Sequence, residues 1–149
     1  MESRFEQFSS VISGIYRYIQ NIEREEMIKY GYKGAYLLYL VTLKRHPEGI
    51  TAAQLGEYCV KDKAGVSRIL NQMEEDRLIY REGDAYRARL KLTEKGLEVA
   101  DFVKERAHKA VRQVSSDLPE DKRLIMYEVL DLIYSKLEEI SEQGLPEGD

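Results

Sequence analysis

Residues 62–96 read DKAGVSRILNQMEEDRLIYREGDAYRARLKLTEKG. The first half has helical spacing, with Val66, Ile69, Leu70 and Met73 apolar. Lys63, Ala64, Ser67, Arg68, Asn71 and Gln72 then fall on the opposite face, and all are small, polar or basic. The helix's acids, Glu74, Glu75 and Asp76, come late. The second half changes period. Ile79–Arg81 and Tyr86–Leu92 read as two strands, with Gly83 in a tight turn between them. Alternation along the second strand places Arg87 and Arg89 on one face. Thr93 then opens a long helix over residues 94–116.

Upstream, AAQLGEYCV follows Thr51, a good N-cap, and packs through Leu55 and Cys59. Only a residue or two around Lys61 separates this short helix from the next, for which Asp62 is the cap. Two short helices on a short turn form a helix-turn-helix, and a hairpin directly after it makes a winged helix. This answers why a polar-faced helix precedes an arginine-bearing hairpin. Such a helix fits a major groove about 12 Å wide, its N-terminal residues at the base edges and its first N–H groups open to a phosphate. The hairpin reaches the backbone or the adjacent minor groove.

The flanks are helical. Residues 2–30 form one long helix with Phe5, Phe8, Ile12, Ile15, Ile19 and Ile22 in a heptad seam. Residues 33–46 are apolar nearly all round and belong at the centre of the fold. Pro47 and Gly49 end that helix. A last helix over 119–141 repeats the heptad seam with Met126, Leu130, Ile133, Leu137 and Ile140. The expected segments are a dimerisation helix (1–30), the winged helix (31–96), C-terminal dimerisation helices (97–142) and a flexible tail (143–149). The fold class is mainly α with a β-hairpin wing.

The 149 residues carry a net charge of −4, which alone argues against nucleic acid. The distribution reverses that reading. Between Lys61 and Lys95 nine Lys or Arg stand against seven Asp or Glu, a basic island in an acidic body. No run of about 18 apolar residues exists, and the N-terminus has no hydrophobic leader. One cysteine excludes an internal disulfide and fits a reducing cytoplasm, the expected location. Cys59 falls on an inner face, as an inert buried thiol would. His46 and His108 are isolated, so neither a metal nor any other cofactor is expected. Neither GxxxxGK nor GxSxG occurs, and no enzyme is expected.

GVSRILNQMEEDRLI followed by LKLTEKG resembles the multiple antibiotic resistance regulator (MarR) family of winged-helix regulators. The resemblance extends over nearly the whole chain. It implies a homodimer built from the first and last helices, a palindromic double-stranded DNA operator, and often release by a small anionic or phenolic ligand. By position it assigns DNA contacts to Lys63, Gly65, Ser67 and Arg68. Asn71, Gln72, Arg87 and Arg89 complete the expected DNA-binding set. Phe5, Phe8, Ile12, Ile15, Leu130, Ile133, Leu137 and Ile140 are the expected dimer interface. Tyr16, Arg17, Tyr36 and Tyr39 are a candidate pocket for an aromatic effector.

The chain departs from the family pattern in three places. Gly65 stands where Thr or Ser is usual, Arg77 replaces the usual glycine after the recognition helix, and Tyr86 holds the arginine position of the wing's Asp-x-Arg. Bland alternatives stand beside each assignment. The seams also suit helices packed on their own domain, and the tyrosines suit a core boundary. The expected function is a dimeric transcriptional repressor. The rivals are a winged-helix interaction module without DNA binding and a small-molecule sensor.

Overall fold

The computed structural model describes residues 3–59, 62–84 and 86–148. The expected turn residue Lys61 lies outside them. The elements are α1 (Arg4–Tyr30), α2 (Tyr36–Lys44), α3 (Ala52–Cys59), α4 (Lys63–Glu75), β1 (Ile79–Glu82), β2 (Arg89–Leu92), α5 (Glu94–Ser116) and α6 (Glu120–Gln143). The chain divides into two units, residues 1–108 and 109–149.

In the first unit, α1 begins with a capping box. The Glu6 amide donates to the Ser3 hydroxyl, and the Ser3 amide donates to the Glu6 carboxylate. Thr51 and Gln54 make the same reciprocal pair at the start of α3. The all-round apolar character of α2 has the expected result: Tyr36, Leu37, Tyr39, Leu40 and Leu43 are all buried. Around α2 the core gathers Met27 from α1, Leu55 from α3, Val66, Leu70 and Met73 from α4, Leu78 and Ile79, Leu90 from β2, and Val99, Ala100 and Val103 from α5. The core therefore crosses the segment boundaries drawn from the sequence at 30/31 and 96/97. Glu23 and Glu26 of α1 also pair with Lys104 and Arg106 of α5, at 2.6 and 3.0 Å.

The hairpin is antiparallel, in register from Ile79↔Leu92 to Glu82↔Arg89. Its other edge is closed by a single bridge between Leu90 and Ile50. The second strand is shorter than the sequence suggests. It begins at Arg89, not Tyr86, because the Arg87 amide closes a turn onto the Asp84 carbonyl at 3.0 Å. Arg87 therefore sits in the turn and does not share a strand face with Arg89.

The exit from α4 is strained, as Arg77 in the glycine position requires. Arg77 has φ +59°, the one left-handed non-glycine among the described residues. Its amide donates to the Glu74 carbonyl, and the Leu78 amide to that of Met73, completing a Schellman motif. The motif LTEKG locks onto this exit. The Thr93 hydroxyl donates to the Arg77 carbonyl at 2.6 Å and receives the Gly96 amide at 3.0 Å. The Thr93 amide donates to the Leu78 carbonyl at 3.0 Å.

In the second unit, α6 starts behind Pro119 and has no buried residue along its length. No helix among the described residues is long and apolar enough to cross a membrane.

Candidate nucleic-acid interface

The outer surface of the winged helix begins with the cap of α4. The Gly65 amide donates to the Asp62 carboxylate at 2.5 Å. One of the helix's first N–H groups is thereby occupied, so the N-terminus is not the fully open phosphate cradle the sequence suggests. Gly65 also fits closely here. A Cβ on it would stand 3.1 Å from the Asp62 carboxylate oxygen.

Val66, Leu70 and Met73 are buried and Ile69 half-buried, so the inner face of α4 is as the spacing predicts. On the outer face, Lys63, Ser67 and Arg68 are exposed, and their side chains have no polar partner among the described residues. Small residues flank them. Ala52, Ala53, Gly56 and Glu57 of α3 line an open cleft with Lys63, Val66 and Ser67. Bulk there would keep a duplex from the helix backbone.

The C-terminal half of α4 is held differently. Asn71 accepts from the Arg81 guanidinium at 3.3 Å, and Glu74 accepts from the same group at 2.9 Å. Gln72 is half-buried and accepts from Lys33 at 2.8 Å. Asp76 accepts from the buried Tyr36 hydroxyl at 2.9 Å. Burial, helped by the Asp76 carboxylate, pushes the Tyr36 phenol up to about 12. Arg81 and Lys33 went unnoticed in the sequence; no local pattern marks a residue whose partner lies seven or 39 positions away.

The wing divides in the same way. Arg89 donates to the Gly49 carbonyl at 3.1 Å, and Lys91 pairs with Glu82 at 3.1 Å. Gly49 has φ +87° and lies so close to β2 that a Cβ would stand 2.9 Å from that of Arg89. Arg87 is exposed in the turn, beside Tyr86.

The four expected pocket residues do not share one environment. Tyr36 and Tyr39 are core residues, 2% and 1% exposed, whereas Tyr16 is 60% exposed on α1. Arg17 turns to its neighbour Tyr18, 5.5 Å from the ring centre. The heptad spacing that places Tyr16 near the Ile12–Ile15 seam leaves it in solvent with that seam. The Tyr39 hydroxyl is buried with no partner among the described residues. A different cleft, between the α2–α3 turn, α3 and β2, is lined by His46, Glu48, Gln54, Glu57, Tyr58 and Arg89. Cys59 is buried. No group of His, Cys, Asp and Glu that could hold a metal occurs among the described residues.

On the expected seams, Phe5 is 76% exposed, and Phe8, Ile12 and Ile15 are exposed too. On α6, Leu130 and Leu137 are exposed while Ile133 and Ile140 are half-buried.

Comparison with known proteins gives a consistent frame. Residues 30–90 match the model of the MarR family. Staphylococcus aureus MepR, a transcription regulator of the multidrug efflux pump MepA, is 21% identical with a TM-score of 0.73, over 87% of this chain and 98% of that one. A MarR transcriptional regulator from Methanosarcina mazei Go1 is 24% identical with a TM-score of 0.72, over 91% and 92%. The oxidised form of MarR from E. coli is 15% identical with a TM-score of 0.72, over 85% and 93%. Among curated proteins none matches by sequence. The likeness to the MarR family model is thus confined to the winged-helix segment, residues 30–90, while the chain as a whole has the fold of these solved structures.

Proposed function

We propose that this protein is a sequence-specific, double-stranded-DNA-binding transcription regulator acting as a homodimer. The observation that carries the proposal is the division of polar side chains along α4. Asn71, Gln72 and Glu74 are engaged within the molecule, while Lys63, Ser67 and Arg68 face outward with no polar partner among the described residues. An N-terminal half left free is what base reading from a recognition helix requires. A variant of S. aureus MepR has been solved bound to an oligodeoxyribonucleotide, which supports the same use of this fold.

Pairing of two chains is supported by apolar surface. Phe5, Ile12 and Ile15 of α1 and Leu130 and Leu137 of α6 are exposed, and α6 buries nothing. Monomeric soluble proteins rarely leave contiguous apolar stripes bare. Two copies would also address two half-sites about one helical turn apart. Repression relieved by a small molecule is the mode of regulation we favour, since S. aureus MepR has been solved bound to ethidium bromide. Tyr16, Arg17, Tyr36 and Tyr39 are not carried forward as that effector's site.

Selection from random duplex DNA tests the proposal. A two-fold-symmetric enriched site is expected, with Arg68→Ala weakening it by about 1–3 kcal/mol. No enrichment would refute DNA reading. A winged-helix interaction module is the second reading, favoured by one observation: Arg81, Arg89 and Lys91 are all paired within the molecule. Salt separates the two, because DNA affinity falls with salt in proportion to the phosphates neutralised.

A further inference from the structure

We infer that the wing meets the DNA duplex through its tip, with the Tyr86 ring as the principal contact and Arg87 beside it, and not through its strands. This rests on the DNA-binding reading above. A single exposed tyrosine needs no special explanation; the surroundings of this one supply the argument.

Every cation on the two strands is occupied. Arg81 holds Glu74 and Asn71, Arg89 holds the Gly49 carbonyl, and Lys91 holds Glu82. Freeing any of them for a phosphate would break an existing contact. Tyr86 and Arg87 have no such tie, and Tyr86 is 97% exposed. The backbone that carries them is nonetheless held. The Arg87 amide is bonded to the Asp84 carbonyl, and the next residue, Ala88, is buried. The hairpin base is anchored in the core by Ile79, paired with Leu92. Three steps at roughly 3.3 Å per residue carry the last strand pair about 10 Å beyond that base. The tip is therefore the part of the wing that projects furthest from the packed unit.

The tip is not strongly basic. Arg87 shares it with Asp84, and Glu82 stands at its foot, already paired with Lys91. Charge attraction alone would make a weak contact. A bare aromatic ring gains by leaving water, whereas its hydroxyl exchanges water for phosphate with little net effect. The geometry thus favours the ring lying on the deoxyribose wall of a groove, with the Arg87 guanidinium on the neighbouring phosphate.

The test uses the full chain and the site enriched by selection, with affinity measured over a range of salt. Tyr86→Ala is expected to weaken binding about tenfold while leaving the salt slope unchanged. Tyr86→Phe should bind as the parent does. Arg87→Ala should reduce the slope by about one per protomer. Arg89→Ala should alter neither quantity. Thermal melts of the Tyr86 variants should match the parent, since the side chain packs on nothing. Parent-like binding by Tyr86→Ala, equal losses for Phe and Ala, or an Arg89→Ala loss as large as that of Tyr86→Ala would each overturn the inference. A parent chain that enriches no DNA would instead overturn the reading beneath it.

Discussion

Gly96→Ala should unfold this protein more readily than a change of one methyl normally does. In an ordinary helix the substitution stabilises by about 1 kcal/mol, because glycine loses more backbone freedom on folding. Here the added Cβ would lie 2.0 Å from the Leu78 carbonyl oxygen and 3.0 Å from its carbon. The obstacle is backbone, so no rotamer change relieves it. The start of α5 and the α4 exit must separate by roughly 1.5 Å to restore a normal C···O contact. Two hydrogen bonds span that junction: Thr93 hydroxyl to the Arg77 carbonyl and Thr93 amide to the Leu78 carbonyl. Losing or stretching them costs about 1 kcal/mol each, and overpacking against the fully buried Leu78 adds about 1–3 kcal/mol. Set against the helix gain, the net loss is about 2–4 kcal/mol, a fall in melting temperature of roughly 5–15 °C. Urea unfolding followed by circular dichroism, at one fixed protein concentration, measures it. A variant within about 0.5 kcal/mol of the parent, or more stable, would refute the packing argument.

Other substitutions probe separate parts of the same logic. Gly14→Ala, on α1 with nothing within 4 Å of the new Cβ, should stabilise the chain by up to about 1 kcal/mol, read by the same urea assay. Arg77→Gly should also stabilise, by about 0.5–1 kcal/mol, by relieving the left-handed backbone; an unchanged urea midpoint would mean that this exit carries no strain. Asp62→Ala removes the α4 cap and should lower stability by about 0.5–2 kcal/mol, with amide exchange quickening first at Gly65. For Tyr36, the folded phenol at about 12 lies above the unfolded value of 10.0, so the folded state holds its proton longer. Its contribution is complete below pH 10 and declines as the pH rises towards 12, by roughly 2–3 kcal/mol. Tyr36→Phe should flatten that part of the pH–stability curve, and a parallel decline in both proteins would count against the assignment.

Local chemistry made much of this fold legible. Thr51 and Asp62 announce helix starts, and each does cap one, whereas the Ser3 cap of α1 went unread. The inner face of α4 follows from 3.6-residue spacing, and the apolar run of α2 marks a helix buried along most of its length, with Leu38 left exposed. The odd residue at the α4 exit was visible as Arg77 and has the backbone it implies. Other features depend on partners distant in the chain. Arg89 alternates as a wing contact should, yet its guanidinium is held by a carbonyl 40 residues away. Asn71 and Gln72 lie on the outer arc of α4, yet Arg81 and Lys33 hold them. Periodicity assigns a face and says nothing of what else reaches that face. The four expected pocket residues come apart for a related reason: Tyr16 stands on α1 in solvent, whereas Tyr36 and Tyr39 stand on α2 in the core.

On the DNA-binding reading proposed above, the pairing of charges also bears on how an acidic chain can approach DNA. A count of Lys and Arg between residues 61 and 95 overstates the basic surface, because Arg81, Arg89 and Lys91 are already held by the molecule itself. What remains for phosphate on α4 and the wing tip is chiefly Lys63, Arg68 and Arg87. Affinity drawn from so few cations leans on shape and apolar contact more than on counterion release. The small residues Ala52, Ala53 and Gly56 beside α4, which let a duplex come close, and the bare ring of Tyr86 at the wing tip are the features such a binder needs. If all three contacted phosphate in each protomer, the slope of log affinity on log salt would be roughly −5 for a pair of chains, and shallower where Lys63 or Arg68 reads a base. A slope near −10 would mean that the paired arginines release their partners on DNA, and the partition between structural and reading cations would then hold only for the free protein.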